Sequence, residues 1–291
     1  MKPHVLLIIF LSFCVKSYAS AESRVTPIYY GKESFLQEVA DPSVQSALPK
    51  TYRLLLPKIS FPIKFVYSPF KRSLRFLQGN APACNFYALE NAERGNHYLF
   101  SLPLTFLPSP RVYTRAAVSE SLLNEKGEIK SLTEMVQAHP SHVILLTDSI
   151  SYGDELDRFI AQIPSRNIVW RASADRHNKI SEMFFRNRAQ IALIYPQEAH
   201  EYLTNHLEDD EVFYSYGVEG IQPIVGGKIM CNKFPQNEEL INELNRGILS
   251  LYKDKDYIAT QQLHTPEPLR PLLIDAISTV SRSHSELRPS E

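Results

Sequence analysis

The sequence predicts an α/β protein of two lobes, each built on a mainly parallel sheet flanked by helices. Short β-rich runs alternate with amphipathic helical patterns, the arrangement that produces parallel sheets covered on both faces. The alternation comes in two series, separated by loops near residue 115 and together too long for a single sheet. An N-terminal export leader precedes both series, so the lobes are expected to fold outside the cytoplasm.

In that leader, Lys2 is followed by an apolar run, Val5 to Val15, which ends at Lys16. The run is shorter than the roughly 20 apolar residues a membrane-spanning helix needs. Ala19 and Ala21 supply the small residues a signal peptidase requires, so cleavage is expected between Ala21 and Glu22. Anchoring as a lipoprotein through Cys14 is the alternative, but Phe13 is bulkier than the residue expected before such an anchor. The expected location is the bacterial periplasm, with residues 22–291 as the mature chain.

The first series opens with Ile63 to Tyr67 as a strand. Phe70, Leu74 and Leu77 then fall on one face of a short helix that ends at Gly79. Ala83 to Leu89 reads as a second strand, Glu90 to His97 as a polar turn, and Leu99-Phe100-Ser101-Leu102-Pro103 follows.

In the second series Leu132, Met135 and Val136 form a helix face that stops at Pro140. His142 to Thr147 is a near-continuous apolar run, as in a strand buried on both faces. Leu156, Phe159, Ile160 and Ile163 mark the next helix, and Asn167 to Arg171 the next strand. A helix over about 177–187 leads to the strand Ile191 to Tyr195, and Pro196 suits the first position of the helix after it. Lys228 to Lys233 reads as a strand, and Leu240, Leu244, Ile248 and Leu251 give the longest amphipathic helix. From about 282 the chain is polar and expected to fray.

Composition narrows the function classes. The formal net charge of −1 becomes more negative once Lys2 and Lys16 leave with the leader, which gives no footprint for nucleic acid. With 10 glycines and no glycine-rich loop, a phosphate cradle is not expected. His139 with His142, and His200 with His206, lack the helical spacing for a shared metal, and Glu208 to Glu211 reads as a solvated loop. Trp170 on an apolar strand reads as core. In an oxidising compartment Cys84 and Cys231 are most simply a disulfide, the alternative being two separate buried thiols. Closing a loop of about 147 residues stabilises by about 4 to 5 kcal/mol in the chain-entropy account.

The segment Phe70-Lys71-Arg72-Ser73-Leu74-Arg75-Phe76-Leu77-Gln78-Gly79, then Ala83-Cys84-Asn85, Ala92-Glu93-Arg94 and Leu99 to Pro103, resembles the first lobe of the type 2 periplasmic binding proteins. These are family 3 of the extracellular solute-binding proteins, and Cys84 matches a poorly characterised branch with a cysteine in that strand. Arg186-Asn187-Arg188-Ala189-Gln190-Ile191-Ala192 is more weakly similar to a second-lobe element, with Asn187 and Gln190 where Gly and Asp are usual. The resemblance implies two hinge crossovers: residues 22–114 and 222–291 form lobe 1, and 115–221 form lobe 2. Cys84 and Cys231 would then share a lobe.

The resemblance also implies a site. Arg94 stands where amino-acid-binding members hold the ligand carboxylate, and a planar guanidinium can bind both oxygens; pairing with Glu90 or Glu93 is the alternative. Ser149, Ser151 and Tyr152 open the helix after residue 147, where they could cap the helix, touch a ligand, or both. Tyr195-Pro196 stands where the family places an acid for the ligand ammonium, which favours a ligand without one. Tyr29 and Tyr30 fit the family's aromatic clamp. No enzyme signature such as G-x-S-x-G or H-E-x-x-H is present.

The expected function is therefore a monomeric solute-binding protein, not an enzyme, that closes on a small carboxylate-bearing ligand without a cofactor. It would serve a membrane transporter or a sensor. A dehydratase-like enzyme on the same fold and a ligand-free partner module of a receptor are the rival readings.

Overall fold

The computed structural model describes residues 25–138, 142–171, 179–206, 212–263 and 265–284. The leader, His139, Pro140, Glu208 to Glu211 and the last seven positions, 285–291, lie outside the described residues.

The chain begins with β1 (Thr26–Tyr30), whose residues alternate between buried and half-buried, and continues through α1 (Phe35–Ala40) and α2 (Ala47–Leu55). Next come β2 (Ile63–Tyr67), α3 (Phe70–Leu77), β3 (Cys84–Ala88), α4 (Ala92–His97), β4 (Tyr98–Phe100) and β5 (Thr105–Pro108). The second sheet is built from β6 (Arg111–Thr114), α5 (Leu132–Gln137), β7 (Ile144–Thr147), α6 (Asp154–Ala161) and β8 (Ile168–Arg171). It is completed by α7 (Lys179–Phe185), β9 (Ile191–Ile194), α8 (Pro196–His206) and β10 (Tyr214–Tyr216). The chain then returns through β11 (Ile224–Asn232), α9 (Pro235–Leu251), α10 (Lys255–Gln262) and α11 (Arg270–Ser283).

Two sheets result, with orders β2-β1-β3-β11-β4 and β10-β6-β9-β7-β8, and β5 pairs with β11 off the first path. Each has a parallel part, β2-β1-β3 and β9-β7-β8. The pairings made by β11 and β6 are antiparallel, but the other strands of each sheet run in one direction, so both sheets are mainly parallel in strand direction, as expected. β6, which carries the chain across, and β11, which brings it back, run against the other strands of their sheets, whereas β10, antiparallel to β6, runs with the prevailing direction. The strand pairing puts β6 in the second sheet, ahead of the boundary expected at 114.

The crossovers lie side by side. Leu107 of β5 is paired with Val225 of β11, and just beyond them the Ser109 N–H donates to the Pro223 carbonyl at 2.9 Å. The Ser109 hydroxyl also donates to the Gln222 carbonyl. On the far side β6 pairs with β10.

Each sheet is covered on both faces. Tyr52, Leu240, Leu244, Ile248, Leu273 and Ile277 pack against Ile28, Phe86 and Ile229 of the first sheet. Leu77 of α3 covers Ala88 and Met230 on its other face. In the second sheet Leu146 and Ile191 face one cluster, and Leu145 and Ala192 the other. Every residue of β7 and β9 is buried, as their apolar runs require. A fully buried leucine or isoleucine stabilises by about 1.5 to 3 kcal/mol. Trp170 departs from expectation: β8 is an outer strand, and Trp170 is 50% exposed.

Cys84 and Cys231 form a disulfide, with Cα atoms 4.0 Å apart. They are register partners on adjacent antiparallel strands and are fully buried. Glu90 to His97, expected as a turn, contains the short helix α4 because the Asn91 side chain caps it by accepting the Arg94 N–H. α11 carries the chain in regular structure through Ser283, and most of the tail expected to fray from about 282 lies outside the described residues.

Candidate functional site

The site is formed where two short helices meet end to end across the cleft. β3 delivers the chain to α4 from the first lobe, and β7 delivers it to α6 from the second. Helix N-termini leave N–H groups without intrahelical partners, and at α4 a side chain of the opposite lobe satisfies one of them. Asp154 Oδ1 accepts the Ala92 N–H of α4 at 2.7 Å. Asn91 Nδ2 donates to Asp157 Oδ2 at 2.9 Å and to Ser151 Oγ at 3.3 Å.

Asp157 is the hub of this junction. Its Oδ1 also accepts the Tyr152 N–H at 2.8 Å, and its Oδ2 accepts the Ser151 hydroxyl at 2.5 Å. Lys71 Nζ lies 2.7 Å from Asp148 Oδ2, a fourth link between the lobes. The carboxyl of Asp148 is held below its ordinary pKa, first by this hydrogen bond from Lys71.

Arg94 supplies the fifth link. Its Nη1 donates to the Leu89 carbonyl at 3.2 Å and its Nη2 to the Ser149 carbonyl at 3.1 Å, so one guanidinium bridges both lobes. Burial lowers the Arg94 pKa, opposed by the charge of Asp157. Glu90 pairs with Lys228, and the charge of Glu93 also acts on Arg94, after that of Asp157. A guanidinium has five N–H groups, and three of Arg94's have no acceptor among the described residues.

Beside this junction lies a cavity of about 40 Å³. Tyr87, Ala88, Leu89 and Arg94 line it from the first lobe, and Ile150, Ser151, Tyr195 and Glu198 from the second. Glu198 is 9% exposed and sits in the first turn of α8, its N–H donating to the Tyr195 carbonyl at 3.0 Å. Its charge, with that of Asp157, adds to the burial that pushes the Tyr152 hydroxyl up to about 12.

Of the residues expected from sequence, Arg94, Ser151 and Tyr195 meet at this cavity. Ser149 contributes its carbonyl and holds a left-handed backbone with φ 65°. Tyr152 is buried in the second-lobe core, where its hydroxyl accepts the Thr147 N–H at 2.9 Å. It supports the loop from below. Tyr29 and Tyr30 do not form a clamp at the cavity. Strand alternation turns Tyr30 into the core against Phe35, Phe65 and Phe86, and lays Tyr29 on Phe76 with ring centroids 4.6 Å apart.

Sequence reasoning missed Tyr87 and Glu198. It found Tyr195 where the family places an acid, whereas Glu198 lines the cavity three positions later. The available signal was Pro196 at the first helical position, which sets Glu198 in an N-terminal turn directly after a buried parallel strand. In α/β folds that end of the sheet carries the ligands.

No family model matches the chain, and neither does any curated protein. Solved structures do match. An arginine-specific periplasmic binding protein of Salmonella typhimurium is 12% identical, with a TM-score of 0.51 over 83% of this chain and 98% of that one. A putative L-cystine ABC transporter protein of Listeria monocytogenes is 11% identical, with a TM-score of 0.53 over 84% and 96%. A histidine kinase sensor domain with similarity to periplasmic binding proteins is 10% identical, with a TM-score of 0.57 over 83% and 95%. At such identities the likeness speaks for architecture alone. The chain has the two-lobe fold of the type 2 periplasmic binding proteins.

Proposed function

We propose that this is an exported solute-binding protein whose lobes close on a small zwitterion. Arg94 holds the ligand carboxylate and Glu198 its ammonium group. The observation that carries the reading is the meeting of these two residues, one from each lobe, on one cavity. Arginine suits the carboxylate because it offers two parallel donors. The expectation of a ligand without an ammonium group gives way to Glu198, which stands three positions after Tyr195. The similar solved structures support a binding role: they include amino-acid binders and a sensor domain. Delivery to a transporter or a sensor, a periplasmic location and a monomeric state complete the proposal.

The test is thermal unfolding across α-amino acids, organic acids, sugars and polyamines. A ligand that binds only the folded state raises stability by mass action. Stabilisation by an α-amino acid, lost in Arg94→Ala and in Glu198→Gln, is the expected result. Stabilisation that persists in both variants would overturn it.

The ligand-free partner module has one observation in its favour. The five links between the lobes are made by the protein's own groups, and two of them use Arg94 and Ser151 of the cavity. If no member of the panel stabilises the chain, and scattering shows a compact particle throughout, that reading replaces the first.

A further inference from the structure

Gly226 and Gly227 lie inside the nine-residue strand β11. Glycine weakens a strand interior and marks a place where another group comes close. At Gly227 that group is a ring: a Cβ there would lie 2.0 Å from Tyr87 Cε2 and 2.5 Å from Thr105 Oγ1. The Tyr87 ring therefore rests directly on the β11 main chain, with no room between them for a methyl group. Tyr87 is half-buried on β3 and lines the cavity beside Arg94.

A ring supported by backbone cannot retreat when a ligand enters. From this the geometry points to Tyr87, seated on Gly227, as the residue that limits the length of ligand side chain the cleft accepts. The assignment rests on the solute-binding reading above and sharpens it. Because the seated ring bounds the cavity, the ligand is an amino acid whose side chain stops short of it, such as glycine, alanine or serine. Long side chains meet the ring.

The seat can be tested without ligand. Gly227→Ala should lower the melting temperature, and adding Tyr87→Ala should restore part of the loss, because the truncated side chain leaves space for the new methyl. If Gly227→Ala alone does not fold, recovery of folded protein in the double variant gives the same answer. No restoration overturns the seat.

The size limit is tested by calorimetry with wild type, Tyr87→Phe and Tyr87→Ala. Wild type and Tyr87→Phe should prefer the short amino acids, while Tyr87→Ala gains about tenfold or more for larger ones, the order expected from side-chain steps in an apolar pocket. An identical ranking in all three overturns the role of Tyr87 and leaves solute binding standing. No amino acid binding to any of them overturns both.

Discussion

Asn91 of α4 and Asp157 of α6 meet across the cleft at 2.9 Å, beside the point where Asp154 of the second lobe accepts the Ala92 N–H and so completes the start of α4. Closing the cleft is therefore also a helix-capping event. The group that caps α4 from within, Asn91, reaches the second lobe with the other end of the same amide.

Replacing Asp157 with Ala should be costly. It leaves the Ser151 hydroxyl, the Tyr152 N–H and the Asn91 amide without a common acceptor. An orphaned polar group costs about 1 to 3 kcal/mol. Urea unfolding should show a loss in that range, and a smaller one for Asp154→Ala, which removes one acceptor.

Arg94→Ala should weaken a carboxylate ligand by about 1.5 to 3 kcal/mol, the range for a charge-assisted hydrogen bond. Calorimetry measures it directly. Arg94→Lys should recover little, because one ammonium cannot reach the Leu89 and Ser149 carbonyls while also offering paired donors to a ligand. Full affinity in either variant removes Arg94 from the site.

The Lys71–Asp148 pair makes closure sensitive to acid. The Asp148 pKa is lowered in the folded protein, chiefly by the Lys71 hydrogen bond. A carboxyl whose folded pKa lies below its unfolded value contributes stability above the unfolded value and loses it as pH falls through the folded one. Wild type should therefore lose more stability than Asp148→Asn between neutral pH and the acid side of the ordinary aspartate range. Because the pair is largely solvated, the difference should be small and should shrink further in high salt. Equal slopes for both proteins would remove the pair from the clasp.

Reducing the Cys84–Cys231 disulfide should cost about 2 to 5 kcal/mol. Mass spectrometry of the protein under non-reducing conditions should find the two peptides joined. Free thiols there would show that the strands pair without the bond.

Much of the architecture was readable because it rests on local periodicity. Ile144 to Leu146 and Ile191 to Ile194 are apolar at every position, and a strand buried on both faces suits that pattern. Trp170 misled for the same reason: its neighbours resemble a buried strand, yet its place at the sheet's edge is set by which partners lie beside β7. β5, β6 and β10 are as short as β7 and β9 or shorter but mix polar and apolar residues, so no continuous apolar run marks them. Within the site, Arg94 and Ser151 could be found because they lie beside the helix starts that the resemblance pointed to. Tyr87 could not, and Glu198 only through the helix start that Pro196 marks. Tyr87 takes its meaning from Gly227, and Glu198 from a cavity shared with Arg94, and no local pattern links either pair.

The order of the first sheet sets a schedule for the chain. β11 is flanked by β3 and β4, so a polypeptide growing from its N-terminus has the two flanking strands long before the strand that joins them. Until residue 232 arrives, the earlier half carries a gap in its middle and two unsatisfied strand edges facing it. The later half can finish first. Formation of the sulfur–sulfur bond thus records a topological event, the moment when the last-made portion slots into the first.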